Sequence, residues 1–130
     1  MAGFSTYLQQ KILDHIRGKT ALTMPTAYVG LYTAAPTDAG GGTEAAYTGY
    51  ARVTTSGSDW TAASGTSGSN AAAITFPACT AGSSTVTHFG IFDASTSGNL
   101  LAWGALGASL AVSAGITPAF AIGALTLTLD

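Results

Sequence analysis

The chain has 130 residues, a formal net charge of -2 and only 8% charged residues, where ordinary soluble domains carry roughly 25%. This length predicts one domain over residues 1–130 with a core of its own. A surface so poor in charge is typical of a protein that is covered in an assembly or lies in a membrane. The lack of a basic field argues against nucleic acid as a partner.

Residues 5–17 are the best helical segment of the chain. Either Ser5 or Thr6 can cap it, and with Thr6 as the cap Gln9 stands at the capping-box position. Three apolar residues spaced by four form a stripe along this helix: Leu8, Ile12 and Ile16. The stripe is expected to pack on the protein's own sheet, or alternatively on a neighbouring subunit.

Residues 86–106 predict a β-hairpin, because two apolar runs flank the polar turn 95–99. Residues 36–44, with three consecutive glycines, predict an exposed flexible loop, as do residues 64–69. Short runs at about ten-residue spacing predict a further set of strands: 27–33, 50–54, 60–62, 71–76, 108–112, 116–121 and 124–129. The fold class that follows is mainly β, an antiparallel β-sandwich or jelly-roll-like domain over residues 27–130 with one N-terminal α-helix.

Residues 100–129 carry no charge and are long enough to span a bilayer. Pro118 and the period-two alternation of residues 125–129 favour strands instead, so no membrane segment is expected. Residues 1–4 lack a basic run, and Lys11, Asp14 and Arg17 interrupt any apolar run that could follow, which argues against a signal peptide. Synthesis in a cytoplasm is therefore expected.

The residues that could support catalysis are few. His15 and His88 belong to no metal-binding spacing. Cys79 could pair with His88 as nucleophile and base, but a lone cysteine among small residues is more simply a buried side chain. The carboxylates that could supply a catalytic pair stand at loops or strand ends, where solvated turn residues are common: Asp38, Glu44, Asp59 and Asp93. We predict no catalytic residue, no cofactor and no metal, and hence no enzyme.

Six blocks of sequence run through the chain in order: VGLYTAAPTDAGGGTE (29–44), GYAR (49–52), ITFP (74–77), VTHFGIFD (86–93), GNLLAWG (98–104) and GAL (123–125). Together they resemble a family of small virion structural proteins of tailed bacteriophages, whose members are head-decoration or tail-fibre-associated proteins. After residue 115 similar proteins carry a polar or acidic residue, whereas this chain has Ile116, Thr117 and Pro118. Contacts of that turn are therefore not transferred.

The resemblance implies a non-enzymatic virion protein that is made in the host cytoplasm. The leading hypothesis is a capsid decoration, or cement, protein that binds the outer head surface as a homotrimer, with the major capsid protein and copies of itself as partners. The alternative is a tail or head fibre component, either structural or binding host glycans through exposed aromatics such as Tyr47, Tyr50 or Trp60. The candidate contact residues come from the helix and the 36–44 loop: Phe4, Tyr7, Leu8, Ile12, Ile16, Pro36, Asp38 and Glu44.

Overall fold

A computed structural model describes residues 3–128, which form antiparallel β-sheets and one α-helix. The predicted mainly β fold class with an N-terminal helix is confirmed. The helix α1 is Thr6–Ile16, and a single 3-10 turn covers Gly57–Asp59. The strands are β1 (Gly3–Phe4), β2 (Tyr28–Ala34), β3 (Thr43–Glu44), β4 (Val53–Thr54), β5 (Ser67–Ser69), β6 (Ile74–Thr75), β7 (Ser83–Phe92), β8 (Leu100–Ser113), β9 (Ala119–Phe120) and β10 (Thr126–Thr128).

The main sheet has the strand order β1-β8-β7-β2-β3, and β4 also pairs with β2. Two small ladders, β5 with β10 and β6 with β9, complete the fold. Ile74 and Leu125, from the region of these ladders, share one buried cluster with Val29 and Phe89 of the main sheet. The ladders therefore cover one face of the main sheet, and the core lies between them, as in a β-sandwich.

The predicted hairpin is β7 with β8, and it is longer than expected. Val86 pairs with Leu110 but His88 pairs with Ala105, so residues 106–109 bulge opposite Thr87. The predicted separate strand 108–112 is wrong, because it continues β8 after this bulge. A bulge lets one strand bend without losing its partner, which is why the apolar run looks interrupted in the sequence.

Several other strand boundaries differ from the prediction. The predicted strand 60–62 is wrong, since Trp60 makes only an isolated bridge to Asn70. Both predicted loops contain strand residues, β3 in 36–44 and β5 in 64–69. The predicted strands 71–76 and 116–121 shrink to the two-residue strands β6 and β9. Leu129 of the predicted closing strand lies outside the described residues, as do Met1 and Ala2.

The buried Asn70 explains why these outer segments are so irregular. Its side-chain amide donates to the carbonyls of Ala72 and Ala121, both at 2.9 Å, and its side-chain oxygen accepts from Leu125 N at 2.9 Å. Side-chain hydrogen bonds to backbone groups replace a regular ladder in this layer. Such bonds depend on residues distant in sequence, so the strand pattern does not reveal them.

The helix starts at Ser5, whose Oγ accepts from Leu8 N at 3.2 Å and donates to Leu100 O at 2.5 Å. No helix residue is buried. Leu8 packs against the core, but Leu13 and Ile16 are 51% and 70% exposed. The expectation that the whole stripe packs on the protein's own sheet is therefore wrong for its last residue, Ile16. Within residues 3–128, no helix is long and apolar enough to cross a membrane.

Candidate binding groove and contact surface

The start of α1, the turn after Pro36 and the β7–β8 turn meet over one face of the main sheet, where Tyr32, Phe92 and Leu100 form a cluster. Thr6 N donates to Asp38 O at 2.8 Å, and the Trp103 indole N–H donates to Asp38 Oδ1 at 3.0 Å. The three segments border a groove of about 500 Å³. Its lining includes a floor of Tyr32, Phe92 and Leu100 and a rim of Tyr7, Gln10, Asp38 and Asn99.

Arg52 is the residue that holds one wall of this groove in place. Its Nε and Nη2 donate to the two carboxylate oxygens of Glu44 at 2.8 and 2.9 Å, and Nη1 donates to Ala94 O and Ser97 O at 2.9 and 2.8 Å. The guanidinium also stacks on Phe92, with 3.5 Å between its carbon and the ring centroid. These bonds use four of the five N–H groups of an arginine. Arg52 is therefore a structural clamp.

Glu44 is fixed from a second side by Tyr50. The Tyr50 hydroxyl donates to Glu44 Oε2 at 2.5 Å and accepts from Leu31 N at 3.0 Å. Burial by itself raises the pKa of Glu44, but hydrogen bonds from Arg52 and Tyr50 and the charge of Arg52 lower it below the ordinary value. Burial raises the pKa of Tyr50, and its bond to Glu44 raises it further. The cluster is thus a carboxylate held ionised by two donors.

The β7–β8 turn is closed by Asp93, in the turn role that the sequence predicted for it. Its Oδ1 accepts from Asn99 N at 2.7 Å, and its Oδ2 accepts from the Asn99 side-chain amide at 2.9 Å. Ser97 and Gly98 have φ angles of 53° and 74°. A serine in this left-handed region is uncommon, and the bond from Arg52 to its carbonyl holds it there. The turn is therefore a fixed wall of the groove.

A family model described as podophage GP4 fiber I protein gp80 matches residues 3–128. The chain belongs to this family. It is therefore a phage structural protein of a fibre family, and the predicted resemblance to virion structural proteins is confirmed at that level. No curated protein matches the chain.

The candidate contact residues occupy three kinds of position in this gp80-family chain. Tyr7 and Asp38 are brought together on the groove rim, and Ile16 is exposed at the far end of α1. The others are half-buried or buried in the described residues: Phe4, Leu8, Ile12, Pro36 and Glu44. Arg52 and Phe92 were not predicted as site residues. One feature of the sequence could have pointed to Arg52, which is the last Lys or Arg of the chain and stands apart from the other three.

The other residues considered from the sequence have structural contacts in the gp80-family fold. The Tyr47 hydroxyl donates to Pro77 O at 2.7 Å, and the Trp60 indole donates to Thr55 Oγ1 at 3.0 Å. Tyr47 is buried and Tyr50 and Trp60 are half-buried, so none of the three is the exposed loop aromatic that the glycan-binding alternative expects.

Cys79 is buried, and its thiol donates to Ala81 O at 3.2 Å rather than pairing with His88. His88 Nδ1 is instead hydrogen-bonded to Thr87 Oγ1 at 2.8 Å. Among residues 3–128, no group of three His, Cys, Asp or Glu side chains could hold a metal ion.

Proposed function

We propose that the protein is a non-enzymatic structural subunit of a podophage fibre and that it associates with further copies of itself through the exposed end of α1. The fibre description of its family favours this location over the cement role that led the sequence analysis. The observation that supports self-association is the exposure of Leu13 and Ile16, at 51% and 70%. Large apolar side chains grouped in this way are typical of interaction sites.

The geometry of α1 supports a contact at the end of the helix and not at its start. Leu8 packs against the core cluster, and Ser5 anchors the start of the helix to Leu100. Leu13 and Ile16 are separated by three positions and so lie on one side of the helix. The first turns attach α1 to the sheet, and the last turn presents an apolar surface.

The size of this surface predicts a weak pairwise contact. Complete burial of one exposed Leu or Ile side chain stabilises by roughly 1.5–3 kcal/mol. Leu13 and Ile16 are already partly buried, so together they contribute about 2–4 kcal/mol before the entropy loss of association. A contact of this strength becomes stable when many copies are held in one assembly. That is the situation of a fibre subunit.

The experiment is sedimentation velocity over a concentration series with two matched variants. Ile16→Glu places a charge at the end of α1, and Ile122→Glu places the same charge at a site that is 71% exposed elsewhere in the chain. The proposal expects the wild type and Ile122→Glu to form the same oligomer, a trimer in our hypothesis, and Ile16→Glu to be monomeric. Circular dichroism checks that both variants fold.

Two outcomes would contradict the proposal. One is a wild-type protein that stays monomeric at the highest concentration, and the other is an Ile16→Glu variant that associates as the wild type does. Binding of the wild type to undecorated phage heads, lost in Ile16→Glu, would favour the cement role with the major capsid protein as the partner.

A further inference from the structure

We infer that the groove between the start of α1, Asp38 and the β7–β8 turn binds a neutral carbohydrate. This inference goes beyond the proposed assembly role and does not depend on it, because Ile16 lies outside the groove lining. Ligand sites are concave, with apolar floors and a few polar groups placed to fix orientation. The groove has both features.

The hydroxyl of Tyr32 is the strongest sign of a ligand. Tyr32 is only 5% exposed, and its ring stacks on Phe92 with 5.9 Å between centroids. Within residues 3–128, the Tyr32 Oη makes no hydrogen bond. Every side-chain N or O atom that is fully buried in that part of the chain has a hydrogen-bond partner, so the Tyr32 Oη is not one of the fully buried atoms. The Tyr32 hydroxyl therefore opens into the groove, where a bound molecule can supply the partner that buried tyrosines usually have.

The rim adds groups suited to sugar hydroxyls. The Trp103 indole N–H donates to Asp38 Oδ1 and so orients the carboxylate. The other oxygen, Oδ2, can then accept a hydrogen bond from a ligand. Asn99 uses its amide N–H on Asp93, which leaves its side-chain oxygen as an acceptor. Tyr7 is 36% exposed at the same rim and offers an aromatic face. Acceptors beside aromatic surface match a molecule with hydroxyl donors and C–H faces.

The charges of the groove favour a neutral ligand over an anion. Arg52 donates four of its N–H groups to the Glu44 carboxylate and to backbone carbonyls. Lys11 Nζ lies 5.4 Å from the Tyr7 ring centroid and does not line the groove. The rim itself carries the carboxylate of Asp38, which repels phosphates and acidic sugars.

The walls are held before any ligand arrives. Arg52 and Asp93 fix the β7–β8 turn, and Thr37 and Gly40 exchange two backbone hydrogen bonds of 2.9 Å across the opposite turn. A preorganised site loses less entropy on binding. This matters most for a ligand that gains only modest free energy from each hydroxyl.

The test uses a panel of neutral oligosaccharides of glucose, galactose, mannose and N-acetylglucosamine, with polygalacturonate and inorganic phosphate as anionic probes. The readout is the NMR signal of the two indole N–H groups. Trp103 bonds to Asp38 on the rim, whereas Trp60 bonds to Thr55 and serves as the internal control. The variants are Tyr32→Phe and, as a matched control outside the groove lining, Tyr28→Phe.

We expect a neutral oligosaccharide to shift the Trp103 signal and leave Trp60 in place. Tyr32→Phe should weaken this binding roughly 2- to 10-fold, the effect of one neutral hydrogen bond, and Tyr28→Phe should leave it unchanged. Ile16→Glu should bind as the wild type, so loss of assembly and loss of binding are separable.

The inference is overturned if no neutral probe moves Trp103 or if the anionic probes bind better. An equal loss of oligosaccharide affinity in Tyr32→Phe and Tyr28→Phe would also overturn it. A change of oligomeric state in Tyr32→Phe would instead show that the groove is a protein contact.

Discussion

The guanidinium carbon of Arg52 lies 3.5 Å from the centroid of the Phe92 ring. The same side chain bonds both carboxylate oxygens of Glu44 and two carbonyls of the β7–β8 turn. One cation thus joins β3, the end of β7 and the turn that follows it. Since Phe92 also stacks on Tyr32, Arg52 supports both the wall and the floor of the groove.

Replacing Arg52 should be costly. Arg52→Ala leaves Glu44 without its ion-pair partner. We therefore expect the free energy of unfolding, measured in urea, to fall by about 3 kcal/mol. Arg52→Lys keeps the charge but cannot bond both carboxylate oxygens in the same plane, so its loss should be intermediate.

The control is Arg17→Ala, because Arg17 pairs with Asp14 while 66% exposed, and such pairs contribute less than about 1 kcal/mol. An Arg52→Ala protein as stable as Arg17→Ala would contradict the clamp.

Stability should fall in acid because of Glu44. Its folded-state pKa lies below the ordinary value of 4.5, so around and below this pH the unfolded state binds more protons. The contribution of Glu44 is full above that pH and is lost as the pH falls through the folded-state pKa. Glu44→Gln should flatten the acid limb of a stability-against-pH curve, and Tyr50→Phe should flatten it partly. An unchanged acid limb in Glu44→Gln would show that the carboxylate is not held in this way.

Gly98 should tolerate no side chain. Its φ is 74°, and an added Cβ would lie 2.6 Å from Asp93 Oδ1. Gly98→Ala should therefore destabilise by more than about 1 kcal/mol. The matched change Gly107→Ala, which meets no atom within 4 Å, should stay within about 0.5 kcal/mol. Thermal unfolding of the two variants checks this, and equal melting temperatures would count against the turn geometry.

Ser5 should matter more than Thr6 as the cap of α1. Ser5 is buried and bonds both Leu8 N and Leu100 O, so Ser5→Ala should cost about 2 kcal/mol. Thr6 is exposed, and Thr6→Ala should change stability by less than about 0.5 kcal/mol. Chemical unfolding followed by circular dichroism measures both, and the reverse order would assign the cap to Thr6.

The sequence predicted the elements whose pattern is local. Residues 5–17 carry a helical stripe and a cap, and residues 86–106 carry two apolar runs around a turn, so α1 and the β7–β8 hairpin could be found. The short strands could not. Ser69 pairs with Thr126, and a Gly- and Ser-rich segment becomes a strand only when its distant partner is in place.

The groove could be predicted only in pieces. The sequence predicts contact regions in the helix and in the 36–44 loop, but only the fold shows that Thr6 and Asp38 meet. Glu44 looked like a solvated turn residue, because the pattern does not reveal its pairing with Arg52. The free hydroxyl of Tyr32 follows from packing and has no counterpart in the sequence.

The most direct test of the fibre assignment is electron microscopy of the phage particle labelled with an antibody against this chain. Our account predicts label along the fibres and bare heads. Label spread in a lattice over the head, with bare fibres, would contradict it.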